Sequence, residues 1–220
     1  LSRKAKVCDE RARVMTTWFR QHGFETRSDG QPWDGVERQG RVLKHFLEHK
    51  RPVIREDDLL AGSTTEDPCA GATVFPEAQG TLIWGELASI HERFMIPFDI
   101  APDTIRRLHR DIFPFWAERN FREWVRREHD SPLSLEIDQR WVAYFVWKSV
   151  GISHTIPNFE GILQYGTAAM IEKLREALDD SNPETQLDQE GRTTIGAMVD
   201  VLEGLTTYAT HLSAEASRQA

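Results

Sequence analysis

DLLAGSTTEDPCAGATVFPEAQGTLIW, residues 58–84, is the one long stretch of the chain that is neither helical in its apolar spacing nor low in complexity. Gly62, Pro68, Gly71, Pro76 and Gly80 separate its short apolar runs, so the backbone must turn repeatedly. Between those turns Leu59, Leu60, Val74, Phe75, Leu82, Ile83 and Trp84 are expected to seek burial. An ordered loop of this kind, set between helical blocks, is expected to serve a larger assembly.

Upstream of the loop, Val7, Val14, Met15, Trp18 and Phe19 predict a helix over residues 4–22, with Gly23 at its C-cap. Gly30, Pro32 and Gly35 mark a linker, residues 36–49 repeat apolar side chains on one face, and Pro52 closes that second helix. Residues 53–54 and 58–60 read as short extended pieces. Downstream, residues 81–94 predict a helix stopped by Pro97. Pro102 opens another whose apolar stripe runs to Asp130, with a kink at Pro114. Residues 133–150 bring Trp141, Val142, Tyr144, Phe145, Val146 and Trp147 almost into succession, so this segment is expected to be buried on most sides. Residues 149–157 read as a short extended segment or loop, Asn158 caps a helix through Leu178, and a polar loop over 179–192 leads to a last helix from Thr193. That helix stops in mid-pattern, as in a piece of a longer chain. Roughly two thirds of the residues are expected to be helical, above the ordinary share for a soluble domain.

Composition narrows the function classes. With 220 residues, 40% of them hydrophobic, seven tryptophans and eleven phenylalanines, the chain can bury a core large enough to offset its ordering entropy. A net charge of −8 argues against a nucleic-acid partner, and the densest basic run, residues 119–127, is interleaved with Glu123 and Trp124 as a solvated helix face would be. No long uncharged apolar run predicts a membrane span, and LSRKAKVCDERARVM lacks the apolar core of a signal peptide. A cytoplasmic location follows as the expectation. Cys8 and Cys69 form neither a disulfide framework nor a zinc spacing.

The candidate chemical groups are few. His45 and His49 lie four apart on a helix, where both can face one ion. No acidic or cysteine partner follows at the spacing of a zinc protease, so they read as polar-face histidines and no metal is expected. Ser153 and His154 are adjacent in an extended segment and point to opposite faces, which rules them out as nucleophile and base. His154, among Ile152, Ile156 and Pro157, is expected to be buried and so to need a hydrogen-bond partner or a ligand. GSTTEDPCAG has no spacing that wraps a phosphate, and Cys69, beside Glu66 and Asp67, reads as a resting thiol.

Taken in order, CDERARVMTTWF (residues 8–19), RVLKHFLEHKRPVIREDDLLAGSTTEDP (41–68), VFPEAQGTLIWGEL (74–87), IFPFWAERN (112–120) and SHTIPNFEGILQYG (153–166) make the chain resemble the N-terminal part of the glycyl radical enzymes, the pyruvate formate-lyase-like superfamily. The resemblance covers nearly all of residues 1–220. It implies a predominantly α-helical segment of an α/β protein, the N-terminal part of a ten-stranded α/β barrel that is usually homodimeric. It also implies a glycyl radical near the C-terminus of the complete enzyme, installed by an activating enzyme that uses S-adenosylmethionine, and transfer of that radical to a cysteine inside the barrel. The thiyl radical then abstracts hydrogen from a small-molecule substrate, and the enzymes are oxygen-sensitive and so anaerobic.

Departures from the pattern define what this segment lacks. Neither the G-C-x-E-P cysteine loop nor the R-V-x-G-Y glycine motif occurs in the sequence. The chain is therefore expected to be either part of a longer radical lyase that cleaves a C–O, C–S, C–N or C–C bond, or a non-catalytic helical interaction protein built on the same scaffold. One residue carries over: His154 matches the histidine of the family's R-A-P-G-H-T block, which faces substrate in dehydratase members. The arginine of that block is replaced here by Val150.

Overall fold

The structure, a computed structural model, describes residues 5–55, 59–66, 71–78, 80–128, 131–133, 136, 157–180 and 186–220. It is mostly helical and divides into two compact units, Leu1–Arg13 with Cys69–Ile156 and Val14–Pro68 with Pro157–Ala220. The division falls within helix α1 (Glu10–His22).

In the first unit, strand β1 (Lys6–Cys8) pairs in parallel with β2 (Gly71–Thr73), Val7 opposite Ala72. On its other side β1 exchanges hydrogen bonds with Asp99, Val7 N–H donating to the Asp99 carbonyl at 2.8 Å and Asp99 N–H to that of Ala5 at 2.9 Å. The expected helix over 4–22 thus begins only at Glu10, because Lys6–Cys8 satisfies its backbone groups in a ladder. The β2 strand likewise lies inside the stretch read as loop. The expected helix over 81–94 is instead a pair of 3₁₀ segments, Gly80–Glu86 and Ile90–Glu92. Gly85, which costs about 1 kcal/mol in a helix interior, and the β-branched Thr81 and Ile83 disfavour a regular α-helix there.

Pro102 opens α3 (Pro102–Arg107), as expected. A π-helical turn, Leu108–Ile112, follows and leads into α4 (Phe113–Trp116), and α5 (Phe121–Glu128) comes after a break. Pro114 has no N–H to donate and crowds the carbonyl four residues back, and the wider turn beside it accommodates that loss. Leu87, Ile90, Leu108, Ile112, Phe113 and Trp116 belong to the buried core of this unit, with Val7, Cys8, Ala12 and Val74.

In the second unit, α1 ends at Gly23, whose N–H bonds to the Phe19 carbonyl at 2.8 Å with φ 83°. A Cβ there would stand 1.8 Å from the Thr26 carbonyl oxygen, so only glycine fits this cap. Helix α2 (Gly35–His49) starts on Asp34, which accepts from the N–H groups of Val36 and Glu37. It packs along the 31-residue α7 (Gln189–Gln219), beside α6 (Phe159–Asp179). Helix α7 begins earlier than its apolar pattern suggested, because Asp188 accepts from Gly191 N–H at 2.7 Å and starts the helix there. Gly166, at φ 73°, kinks α6. Leu59 and Leu60, expected inside, are 99% and 85% exposed.

The α2–α7 contact carries a charge network. Lys44 Nζ lies 2.5 Å from Glu203 and 3.3 Å from Asp200, and Arg175 of α6 is 2.5 Å from Glu203. The Lys44 hydrogen bond, against the opposing effect of burial, holds Glu203 below its ordinary value of 4.5. A carboxylate with a depressed folded pKa stabilises above its unfolded pKa and loses that contribution as pH falls through the folded one. Thermal stability is therefore expected to drop as pH falls below 4.5. Glu203→Gln should cost about 1 kcal/mol or less at pH 7 and flatten that acid limb in a melting series from pH 7 to 3.

Candidate functional site

His154 and the Trp141–Trp147 segment lie outside the described residues, as does Cys69. Within the block that contains His154, Asn158 Oδ1 accepts from Gly161 N–H at 2.9 Å and starts α6. A Cβ on Gly161 would stand 2.7 Å from the Asn158 side-chain nitrogen, so the capping side chain lies close over the glycine. Asn158 is thus committed to the helix, as its position in the sequence suggested. Cys8 is buried in β1 and its carbonyl accepts from Val74 N–H at 3.0 Å, which places the thiol in the framework of the first unit.

Three of the five sequence blocks that carried the resemblance, the first, third and fourth, are joined within the first unit. Arg11, from the first block, donates to Glu77 Oε1 through Nε at 3.0 Å and Nη2 at 2.6 Å, and its guanidinium lies 5.0 Å from the Phe75 ring centre. Glu77 and Phe75 belong to the third block. The Glu77 carbonyl in turn accepts from Phe121 N–H at 2.8 Å, beside Asn120, the last residue of the fourth. Asn120 is buried, donates to the Trp116 carbonyl at 2.9 Å and accepts from Glu123 N–H at 3.2 Å, which caps α5. Asp9 and Arg107 form a fork of two hydrogen bonds at 2.7 and 3.1 Å. These hydrogen bonds tie the backbone segments of the first unit together.

The second unit contains an open apolar groove of about 940 Å³ between α2, α6 and α7, floored by Gly40, Leu43, Ala197 and Val201 and edged by Asn158, Tyr165 and Lys173. Its volume lies within the range of small-molecule sites. On the C-terminal turns of α2, one donor atom each from His45, Glu48 and His49 lies within 4.8 Å of the others. Burial first, and then the neighbouring His49 and His22, holds His45 below the ordinary imidazole value, so it is neutral near pH 7. The sequence reading took His45 and His49 as a pair and overlooked Glu48, although three residues along a helix brings a side chain onto the same face.

The family model described as pyruvate formate lyase-like matches residues 1–220. The chain belongs to the pyruvate formate lyase-like family. Among curated relatives, the isethionate sulfite-lyase of Desulfovibrio desulfuricans is 24% identical over 214 residues, covering 94% of this chain and 25% of the relative. The trans-4-hydroxy-L-proline dehydratase of Clostridioides difficile is 29% identical over 84 residues, 38% of this chain and 10% of its own length. The pyruvate formate lyase-like chain also superimposes on a glycyl radical enzyme from Archaeoglobus fulgidus with a TM-score of 0.78 and 24% identity, covering 100% of this chain and 27% of that one. With the glycerol-bound B12-independent glycerol dehydratase of Clostridium butyricum the TM-score is 0.74 at 24% identity, over 93% and 25% of the two chains. The chain thus spans about a quarter of the length of the curated relatives it matches over most of its sequence. The structural likenesses establish the fold of this pyruvate formate lyase-like segment. Its few strands supply no barrel among the described residues.

Proposed function

We propose that these residues are the N-terminal portion of a glycyl radical lyase acting on a small molecule. The observation that carries this reading is the family match over residues 1–220. A sulfite-lyase and dehydratases among the relatives favour elimination across a C–S or C–O bond over cleavage of C–N or C–C. In this reading the segment is scaffold. Arg11, Glu77, Asp9 and Arg107 fix the loop and strand against which later sequence completes a ten-stranded barrel, usually in a homodimer. The cysteine that carries the thiyl radical and the glycine that stores it lie outside these residues. A glycyl radical supplies the hydrogen-abstracting chemistry, and a separate S-adenosylmethionine-dependent activating enzyme installs it. Such an enzyme works in the cytoplasm under anaerobic conditions. No described helix is long and apolar enough to cross a membrane.

His154 is the one residue of this segment proposed to touch substrate, through a hydroxyl or sulfonate oxygen. Losing one hydrogen bond to a strongly polarised group, about 1.5 kcal/mol, corresponds to roughly tenfold in rate. His154→Ala in the complete enzyme should therefore lower kcat/KM about tenfold or more, with the glycyl radical signal in electron paramagnetic resonance unchanged. Unaltered turnover would return His154 to a packing role. The gene read past Ala220 tests the larger claim: it should encode a G-C-x-E-P loop and an R-V-x-G-Y motif, and their absence overturns the lyase.

A further inference from the structure

We propose that His45, Glu48 and His49, on the last turns of α2, form a binding site for a single divalent transition cation of the zinc class, independent of the radical chemistry. The donor set is two imidazoles and one carboxylate at positions i, i+4 and i+3, one face of one helix. That set suits borderline ions such as Zn²⁺, and hard ions that demand an all-oxygen shell fit it poorly.

Geometry brings the donors close to what an ion requires. Ligand atoms bound to a tetrahedral zinc at about 2.0–2.1 Å stand roughly 3.4 Å from one another. Here they lie within 4.8 Å, so small rotations about the side-chain torsions close the gap without moving the helix. The imidazole rings of His45 and His49 are already neighbours, with centroids 3.9 Å apart. His49 is also oriented: its Nδ1 lies 2.8 Å from the His45 carbonyl. A carbonyl oxygen only accepts, so Nδ1 carries the proton and Nε2 keeps the lone pair that a metal takes. This is the arrangement by which a second hydrogen bond fixes the tautomer of a metal-binding histidine.

The surroundings favour a cation. Helix α2 ends at His49, which puts its unpaired carbonyls and the negative end of its dipole beside these side chains. Of the two flanking lysines, Lys44 is held by Asp200 and Glu203, and Lys50 lies over the rings of Phe46 and Tyr208. Three protein donors leave a fourth position for water or another ligand, the pattern of an open zinc site.

Titration of the complete, metal-free protein with Zn²⁺, followed by calorimetry, tests the site. One ion per chain is expected, with a melting temperature that climbs as Zn²⁺ is added and falls back with a chelator. Affinity across metals should run Cu²⁺ above Zn²⁺, and Zn²⁺ above Mn²⁺. His49→Ala, at an exposed position, should weaken binding about tenfold or more, and Glu48→Gln about tenfold. Absence of saturable binding, or binding untouched by His49→Ala in a chain with unchanged circular dichroism, overturns the proposal. Binding that His49→Ala abolishes and Glu48→Gln leaves intact overturns the three-donor site.

Discussion

Gly204→Leu is expected to destabilise the second unit by about 3 kcal/mol, the upper part of the range for overpacking a tight contact. Gly204 lies on α7 where that helix meets α2. A Cβ there would stand 2.9 Å from Lys44 Cα, 3.1 Å from the Lys44 carbonyl oxygen and 3.2 Å from Leu47 Cβ. Two of those neighbours are backbone atoms, so relief requires moving α2 as a body rather than turning a side chain. Opposing this is helix propensity, which favours any ordinary residue over glycine by about 1 kcal/mol or less. The clash is larger, so the sign is destabilising. Gly40, on the other side of the same contact, repeats the arrangement: its Cβ would lie 2.8 Å from both Cα and Cβ of Ala197. The control is Gly196, on the same helix with nothing within 4 Å of its Cβ position, where Gly196→Ala should gain up to about 1 kcal/mol. Denaturant unfolding followed at 222 nm checks both. If Gly204→Leu is as stable as Gly196→Ala, α2 and α7 do not approach as described.

Features written in a few adjacent residues were legible from the sequence, and features that depend on distant partners were not. Gly23 at the end of α1, Pro102 at the first turn of α3 and Asn158 as the cap of α6 each act through neighbours within four residues, and each stands where local chemistry put it. Strand β1 was hidden because Val7 fits a helical stripe as well as a strand. Pairing with Gly71–Thr73, more than sixty residues on, decides between them. Leu59 and Leu60 looked like core by type, yet apolar character alone does not say what will cover a side chain. The family was legible from ordered blocks, and the structure adds a contact between two of them: Arg11 binds Glu77. Of the candidate site, the cap that follows His154 was legible. Glu48 was missed because the search sought a partner further along the chain than the one between the histidines.

Arg107→Leu should cost the first unit about 3 kcal/mol, because it strands the carboxylate of Asp9. The Asp9 side chain is 2% exposed, and Arg107 reaches it with Nε at 2.7 Å and Nη2 at 3.1 Å, a planar fork that lysine cannot reproduce. Arg107 itself is 39% exposed, so water can enter where it was, which keeps the cost at the lower end for a broken buried pair. The pair sits where β1 gives way to α1. Loss of its hold should therefore loosen the β1–β2 ladder before the buried cluster around Phe113 and Trp116, and amide exchange at Val7 should rise more than at Phe113. Asp9→Asn combined with Arg107→Leu removes the stranded charge as well as its partner. Leaving a buried ion alone costs more than deleting both members, so the double variant should recover at least half of the loss. Urea unfolding of the two variants side by side decides it. A double variant no more stable than Arg107→Leu alone would mean that the arginine stabilises through its stem packing rather than through the Asp9 carboxylate.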